Sequence, residues 1–165
     1  MKKTINIPEQ STDGLENLVA NYRRLKATDQ PEFAEALREL ELRRRGFDFH
    51  KSMALILAAA REGRFVSCMD LAEASGVKWS RGFRLISAHL GAIAEWSTVK
   101  YGLLFDSIVV NKPNVATGEY EPSMLRGFTG WATELGYSVG DAETFLREQQ
   151  ARVFAWAQAQ AQAAA

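Results

Sequence analysis

Two histidines, His50 and His89, and one cysteine, Cys68, are the side chains best suited to nucleophilic or proton-transfer chemistry. His50 follows Phe-Asp-Phe at a predicted helix start, and His89 falls in the middle of another helix. Neither stands at a motif spacing from a nucleophile. Cys68 is close to a predicted helix N-terminus, where a thiol pKa can be lowered. Its commoner role is that of a small buried core residue. No phosphate-binding Gly-x-x-x-x-Gly-Lys loop, His-Glu-x-x-His pair, Gly-x-Ser-x-Gly elbow or EF-hand loop occurs in the chain. The carboxylates are scattered over helix faces. These features argue against an enzyme and imply no cofactor. A single cysteine also excludes an intrachain disulfide and a cysteine-built zinc site, so no metal site is expected.

The second group of residues is basic. Lys78, Trp79, Ser80, Arg81 and Arg84 open the second helix of a predicted helix-turn-helix, and Lys112 lies in a turn further on. The first residues of such a helix face the DNA major groove, where Lys and Arg reach phosphates or guanine edges. Trp79 can stack on a base or pack at the turn. Lys100 and Lys112 would stand at the base and tip of a wing. The run Arg43-Arg44-Arg45 reads first as cations at a helix C-terminus, favoured there by roughly 0.3–1 kcal/mol each. Phosphate contact is the alternative. Lys plus Arg and Asp plus Glu both number 20, giving zero net charge. A dedicated nucleic-acid binder usually carries a basic excess. Any DNA-binding face must therefore come from segregated charge.

The elements that position these residues follow from periodicity and punctuation. Thr4-Ile5-Asn6-Ile7 could add an edge strand, ended by Pro8. Asp13 is placed to cap a helix from Gly14 to about Ala27, and Pro31 to open a second helix reaching Arg45. Phe49 to Glu62, containing Met-Ala-Leu-Ile-Leu-Ala-Ala-Ala, is apolar nearly all round and reads as a central helix. Arg64 to Val66 is extended. Ser67 with Asp70 resembles a capping box for a helix from Met69 to Ser75. Gly76 supplies a turn, and Ser80 caps a helix to about Trp96. Phe83, Ile86, Leu90, Ile93 and Ala94 are placed on its buried face, with Arg81, Arg84 and His89 outside. Leu103 to Val110 reads as a strand, and Val115 to Pro122 as its returning wing partner. Gly127 opens a short helix from Phe128 to Leu135, and Asp141 caps a last one from Ala142 to at least Trp156. The Ala/Gln tail is a helical extension, a frayed end or a cloning remnant.

The fold class is thus mainly α with a small β component, a winged helix-turn-helix core with flanking helices. Residues 1–46 form an N-terminal helical arm of two helices. Residues 47–136 are the winged-helix-like core, and residues 137–165 the C-terminal helix and tail. The 165 residues suffice for one domain with extensions, and 47% hydrophobic with 24% charged content is ordinary for a globular protein. No apolar run approaches the roughly 18 residues of a membrane span. The Met-Lys-Lys-Thr start lacks an apolar signal region. A cytoplasmic protein without membrane contact is the expectation.

Residues 63–128 resemble the winged-helix portion of the alkylguanine-DNA alkyltransferase and alkyltransferase-like family. Gly63, Val66, Leu71, Ala72 and Gly76 fall in step with that family's pattern, and Arg84 stands where it places an arginine that fills the hole left by a flipped base. The family's Pro-Cys-His-Arg active site is replaced by Asp106-Ser107-Ile108-Val109, and the tyrosine of its Thr-Tyr-Gly by Cys68. Alkyl transfer is therefore not expected. The stretch from Ser107 to Lys112 with Gly127-Phe128 also resembles small prokaryotic domains sharing a Ser-x-Val-Val-Asn-Lys…Gly-Phe pattern. The functional expectation is a non-enzymatic binding module for double-stranded DNA. The alternative is a protein-interaction module, such as an inhibitor, antitoxin-like or phage-borne accessory protein, possibly self-associating. Trp96, Tyr101, Trp131, Tyr137 and Trp156 would then supply an interface, unless they fill the core.

Overall fold

A computed structural model describes residues 5–43 and 46–164. Among these are seven helices: α1 (Thr12–Arg24), α2 (Pro31–Arg43), α3 (Phe49–Arg61), α4 (Cys68–Ala74), α5 (Trp79–Tyr101), α6 (Pro122–Glu134) and α7 (Ala142–Ala163). Two short strands, β1 (Val66–Ser67) and β2 (Val109–Val110), pair in parallel with Val66 opposite Val109. The protein is mainly helical with a small two-stranded sheet. No helix among the described residues is long and apolar enough to cross a membrane.

The central position of α3 follows from its sequence. Phe49, Met53, Ile56, Ala59 and Ala60 are buried and join Leu71 of α4, Ile93 and Trp96 of α5, the strand residues Val66 and Val109, and Val153 of α7 in one apolar cluster. A second cluster, with Phe128, Phe145 and Leu146, lies under α6 and α7. The arm helices α1 and α2 carry a third, built from Leu15, Val19, Phe33 and Leu37. Arg23 on α1 ties the arm to α5. Its Nε and Nη2 donate to Glu95 at 3.2 and 2.5 Å.

Several boundaries move, each for a local reason. Ser11, rather than Asp13, caps α1 by accepting from the Gly14 N–H at 3.0 Å. Residues 5–7 form no strand; Ile7–Glu9 is a 3-10 turn with Ile7 buried. α2 is described as far as Arg43, and the expected end at Arg45 lies outside the described residues. Arg43 pairs with Glu39 at 2.8 Å and donates to the carbonyls of Gln10 and Pro8, which occupies its guanidinium within the arm. Arg44 and Arg45 lie outside the described residues. Lys78, not Ser80, is the N-cap of α5, which runs on to Tyr101 and stops at Gly102 with φ +66°.

The wing is the main correction. Leu103 to Val110 does not form one strand, and Val115 to Pro122 does not return as another. Phe105–Ile108 is a 3-10 turn that delivers two residues to β2. Its backbone is satisfied by side chains. Ser97 Oγ accepts from the Phe105 N–H at 3.2 Å, Tyr120 Oη donates to the Asp106 carbonyl at 2.6 Å, and Gln150 Nε2 donates to the Ser107 carbonyl at 3.0 Å. With those groups taken, no ladder partner is needed. After Asn111 the chain makes successive turns through Gly118, whose φ of +72° brings its backbone against Phe65. Pro122 then starts α6, six residues before the expected Phe128.

The faces of α5 also differ from expectation. Phe83 is 53% exposed, whereas His89 is 2% exposed. The buried side of α5 runs through Gly82, His89, Ala92, Ile93 and Trp96. Gly82 is what allows the close crossing. A Cβ there would stand 3.1 Å from the Trp79 ring and 3.5 Å from Ala72 Cβ.

Candidate functional site

The predicted basic residues are placed by α4, a four-residue turn and the start of α5. The capping box at α4 forms as its spacing predicts. Asp70 N–H donates to Ser67 Oγ at 3.0 Å, and Ser67 N–H donates to Asp70 Oδ2 at 3.1 Å. Gly76 with φ +69° reverses the chain, and the Val77 N–H closes the turn on the Ala72 carbonyl at 2.8 Å. Lys78, Ser80, Arg81 and Arg84 are then all solvent-exposed within the first two turns of α5. Trp79 is half-buried against the main cluster, so its ring packs at the turn. The Arg84 guanidinium lies 5.4 Å from the centre of the exposed Phe83 ring. Lys112 is exposed in the 3-10 turn Lys112–Asn114 after β2.

The expected interface aromatics divide differently. Trp96 is buried, and Trp131, Tyr137 and Trp156 are half-buried. Tyr101 is 38% exposed and packs on Trp156 and Phe105, with Lys100 Nζ 5.5 Å from its ring.

Next to the basic face is a cavity of about 250 Å³ between α5 and α6. Ser87, one turn after Arg84, and Asn111, beside Lys112, both line it. The cavity thus links the two basic positions in space. Its walls are apolar: Ile86 and Leu90 from α5, Met124 and Phe128 from α6. Trp131 also lines it, and lies so close to α5 that a Cβ on Gly91 would come within 2.7 Å of the indole.

Asp106 lines this cavity and is 5% exposed, and its Oδ1 has no hydrogen-bond partner among the described residues. Burial pushes its carboxyl from 3.8 up to about 7, against a lowering contribution from its own backbone N–H. Cys68 also lines the cavity. Burial pushes its thiol up to about 12, which removes the lowered pKa that a helix N-terminal thiol can have. Tyr120, between them, is raised well above 10, first by burial and then by the Asp106 and Cys68 charges. At neutral pH the cavity therefore holds a protonated thiol and phenol and a carboxyl near its own midpoint. Among the described residues no group of three His, Cys, Asp or Glu side chains could hold a metal.

A third constellation lies on the far side of α5. Ser52 Oγ is 2.8 Å from His89 Nε2, and His89 Nδ1 is 3.2 Å from Glu41 Oε2. The order matches a serine–histidine–acid relay. All three are buried, at 0, 2 and 3% exposure, and the Phe47 ring stacks on the imidazole at 4.7 Å. No substrate carbonyl can approach Ser52, so the trio braces α2, α3 and α5. Sequence spacing could not reveal it, because Glu41, Ser52 and His89 come from three separate helices. Asp106 did leave a signal, as a lone carboxylate inside the apolar run Leu-Leu-Phe-Asp-Ser-Ile-Val-Val.

No family model, curated protein or solved structure matches this chain.

Proposed function

We propose that the protein is a non-enzymatic binding module of winged-helix type whose α5 N-terminal face engages double-stranded DNA. In this reading α5 is the recognition helix, and the turns from Asn111 to Glu121 take the place of the wing. The observation that carries it is the exposure of Lys78, Ser80, Arg81 and Arg84 along the first two turns of a helix entered by a tight turn. The resemblance of residues 63–128 to the alkyltransferase-like winged helix supports the same face, with Arg84 at the base-step position. Zero net charge makes the binding modest and suits a regulatory rather than a packaging factor in the cytoplasm expected from the sequence.

Fluorescence anisotropy on a labelled duplex tests this. If Lys78, Arg81, Arg84 and Lys112 each neutralise one phosphate, the log–log salt slope is about −3.6, a loss of roughly 150-fold between 50 and 200 mM salt. Arg81→Ala with Arg84→Ala should halve that slope to about −1.8 and weaken binding at low salt. No anisotropy change at 50 mM salt with micromolar protein would overturn the proposal.

A protein partner or self-association is the second reading, favoured by the 53% exposure of Phe83 beside Arg84. Light scattering at micromolar concentration distinguishes it. A dimer mass supports it, and a monomer mass counts against self-association.

A further inference from the structure

Beyond the α5 face, we infer that the cavity between α5 and α6 is a binding site for a small aromatic ligand carrying an amidine-type edge of paired N–H donors, with Asp106 as its anchor. The argument starts from Asp106 Oδ1. It is buried and lacks any hydrogen-bond partner among the described residues, yet its residue lines an open cavity. Buried acceptors without partners are rare in folded proteins, and each asks what satisfies it. Here the surrounding polar side chains leave the demand unmet. Tyr120 Oη is spent on the Asp106 carbonyl at 2.6 Å, and the Asn111 amide is turned to Glu121, to which it donates. A donor carried into the cavity by a ligand would meet that demand.

The walls define the rest of the ligand. Ile86 and Leu90 on one side and Met124 and Phe128 on the other present apolar surface to a flat ring. A volume of about 250 Å³ admits a single ring with its substituent, well below a drug-sized ligand. An acceptor-only carboxylate meets a planar N–H fork best, because two parallel charge-assisted bonds form at once. Cys68, Ser87 and Ser123 add no competing charge. The carboxyl pushed up to about 7 by burial agrees with this geometry, since an uncompensated buried anion is what an amidinium would relieve. The inference does not depend on what α5 binds.

Benzamidine is the probe, titrated into the intact protein at pH 8 and followed by calorimetry and amide chemical shifts. Saturable 1:1 binding is expected, with shifts at Leu90, Asp106 and Met124. Benzamide, a neutral isostere, should bind at least tenfold more weakly. Asp106→Asn should weaken benzamidine at least tenfold. Gly127→Leu supplies an independent check. Gly127 lines the cavity on exposed α6, where an added Cβ meets nothing within 4 Å. The larger side chain should obstruct the cavity with Asp106 intact, and should abolish binding while the helical circular-dichroism signal is kept. Absence of saturable binding, equal affinity for benzamide, or shifts confined to another surface would overturn the inference.

Discussion

Asp106→Asn should change how stability depends on pH, and by an amount the structure sets. In the folded protein the carboxyl is pushed from 3.8 up to about 7 by burial. An acid whose folded pKa is raised is stabilising below its unfolded pKa, where both states are protonated. Its contribution is lost as pH rises through the folded value. Between about pH 4 and pH 7 the folded state retains a proton that the unfolded chain has released, so stability falls by about 1.4 kcal/mol per pH unit. Over the whole interval the loss is about 4 kcal/mol, and above pH 7 it levels off. Asparagine has nearly the same shape and no charge. Any penalty from its own unpartnered amide does not vary with pH, and so cancels in the slope. The assay is thermal unfolding of both proteins at half-unit steps from pH 4 to pH 9. For a chain of this length about 4 kcal/mol corresponds to roughly 10 °C, so the variant should gain about that much over the native protein between the two ends of the range. Cys68 and Tyr120, the other titratable groups at the cavity, stay protonated throughout and do not blur the comparison. Parallel melting profiles for the two proteins would refute the reasoning.

Two further substitutions probe the frame that holds the site. Ser67→Ala removes the side-chain acceptor of the α4 capping box while keeping the backbone, and should destabilise by about 1 kcal/mol in urea titrations. Gly118→Ala combines a backbone φ of +72° with a Cβ about 2.2 Å from the Phe65 ring. It should destabilise by about 2–4 kcal/mol, read by the same titration, and a loss below 1 kcal/mol would show that the 111–121 turns can move aside.

Local rules located most of the helices and misplaced most of the irregular chain, for different physical reasons. Caps and stops are decided within four residues. The Ser67–Asp70 box, the Asp141 cap and the left-handed glycines 76 and 136 were therefore readable directly. Burial is decided by what lies opposite. Phe83 and His89 exchanged places because α5 carries polar partners on the side facing α2 and α3, where Glu41 and Ser52 satisfy the imidazole. Apolar periodicity has no knowledge of such partners. The expected strand from Leu103 to Val110 failed in the same way. Its residues are as buried as those of a strand, but Ser97, Tyr120 and Gln150 take up its backbone groups from three other segments. The exposure of Lys78, Arg81 and Arg84 was legible because lysine and arginine are seldom fully buried, whatever lies opposite. The cavity was not, since it exists only where α5, α6 and the Asp106 turn meet.

The Ser52–His89–Glu41 trio shows why hydrogen-bond order alone does not make a catalytic site. A nucleophilic serine must present its oxygen to a carbonyl about 3–3.5 Å away, with donors ready for the oxyanion. Ser52 is fully buried on the face of α3 turned to α5, and the Phe47 ring covers the imidazole. What the trio does instead follows from its hydrogen bonds. With Glu41 accepting at Nδ1, the proton belongs on Nδ1, and Nε2 accepts from the Ser52 hydroxyl. Each of these contacts joins a different helix to α5. Arg23 and Glu95 add a second tie six residues further along. The middle of α5 is therefore held from behind at two levels by the arm and α3. Its first two turns project from a fixed base, and Ser87, one turn after Arg84, lines the cavity. A binding face on a helix gains specificity from such fixed placement, because side chains held in position lose less freedom when a partner arrives.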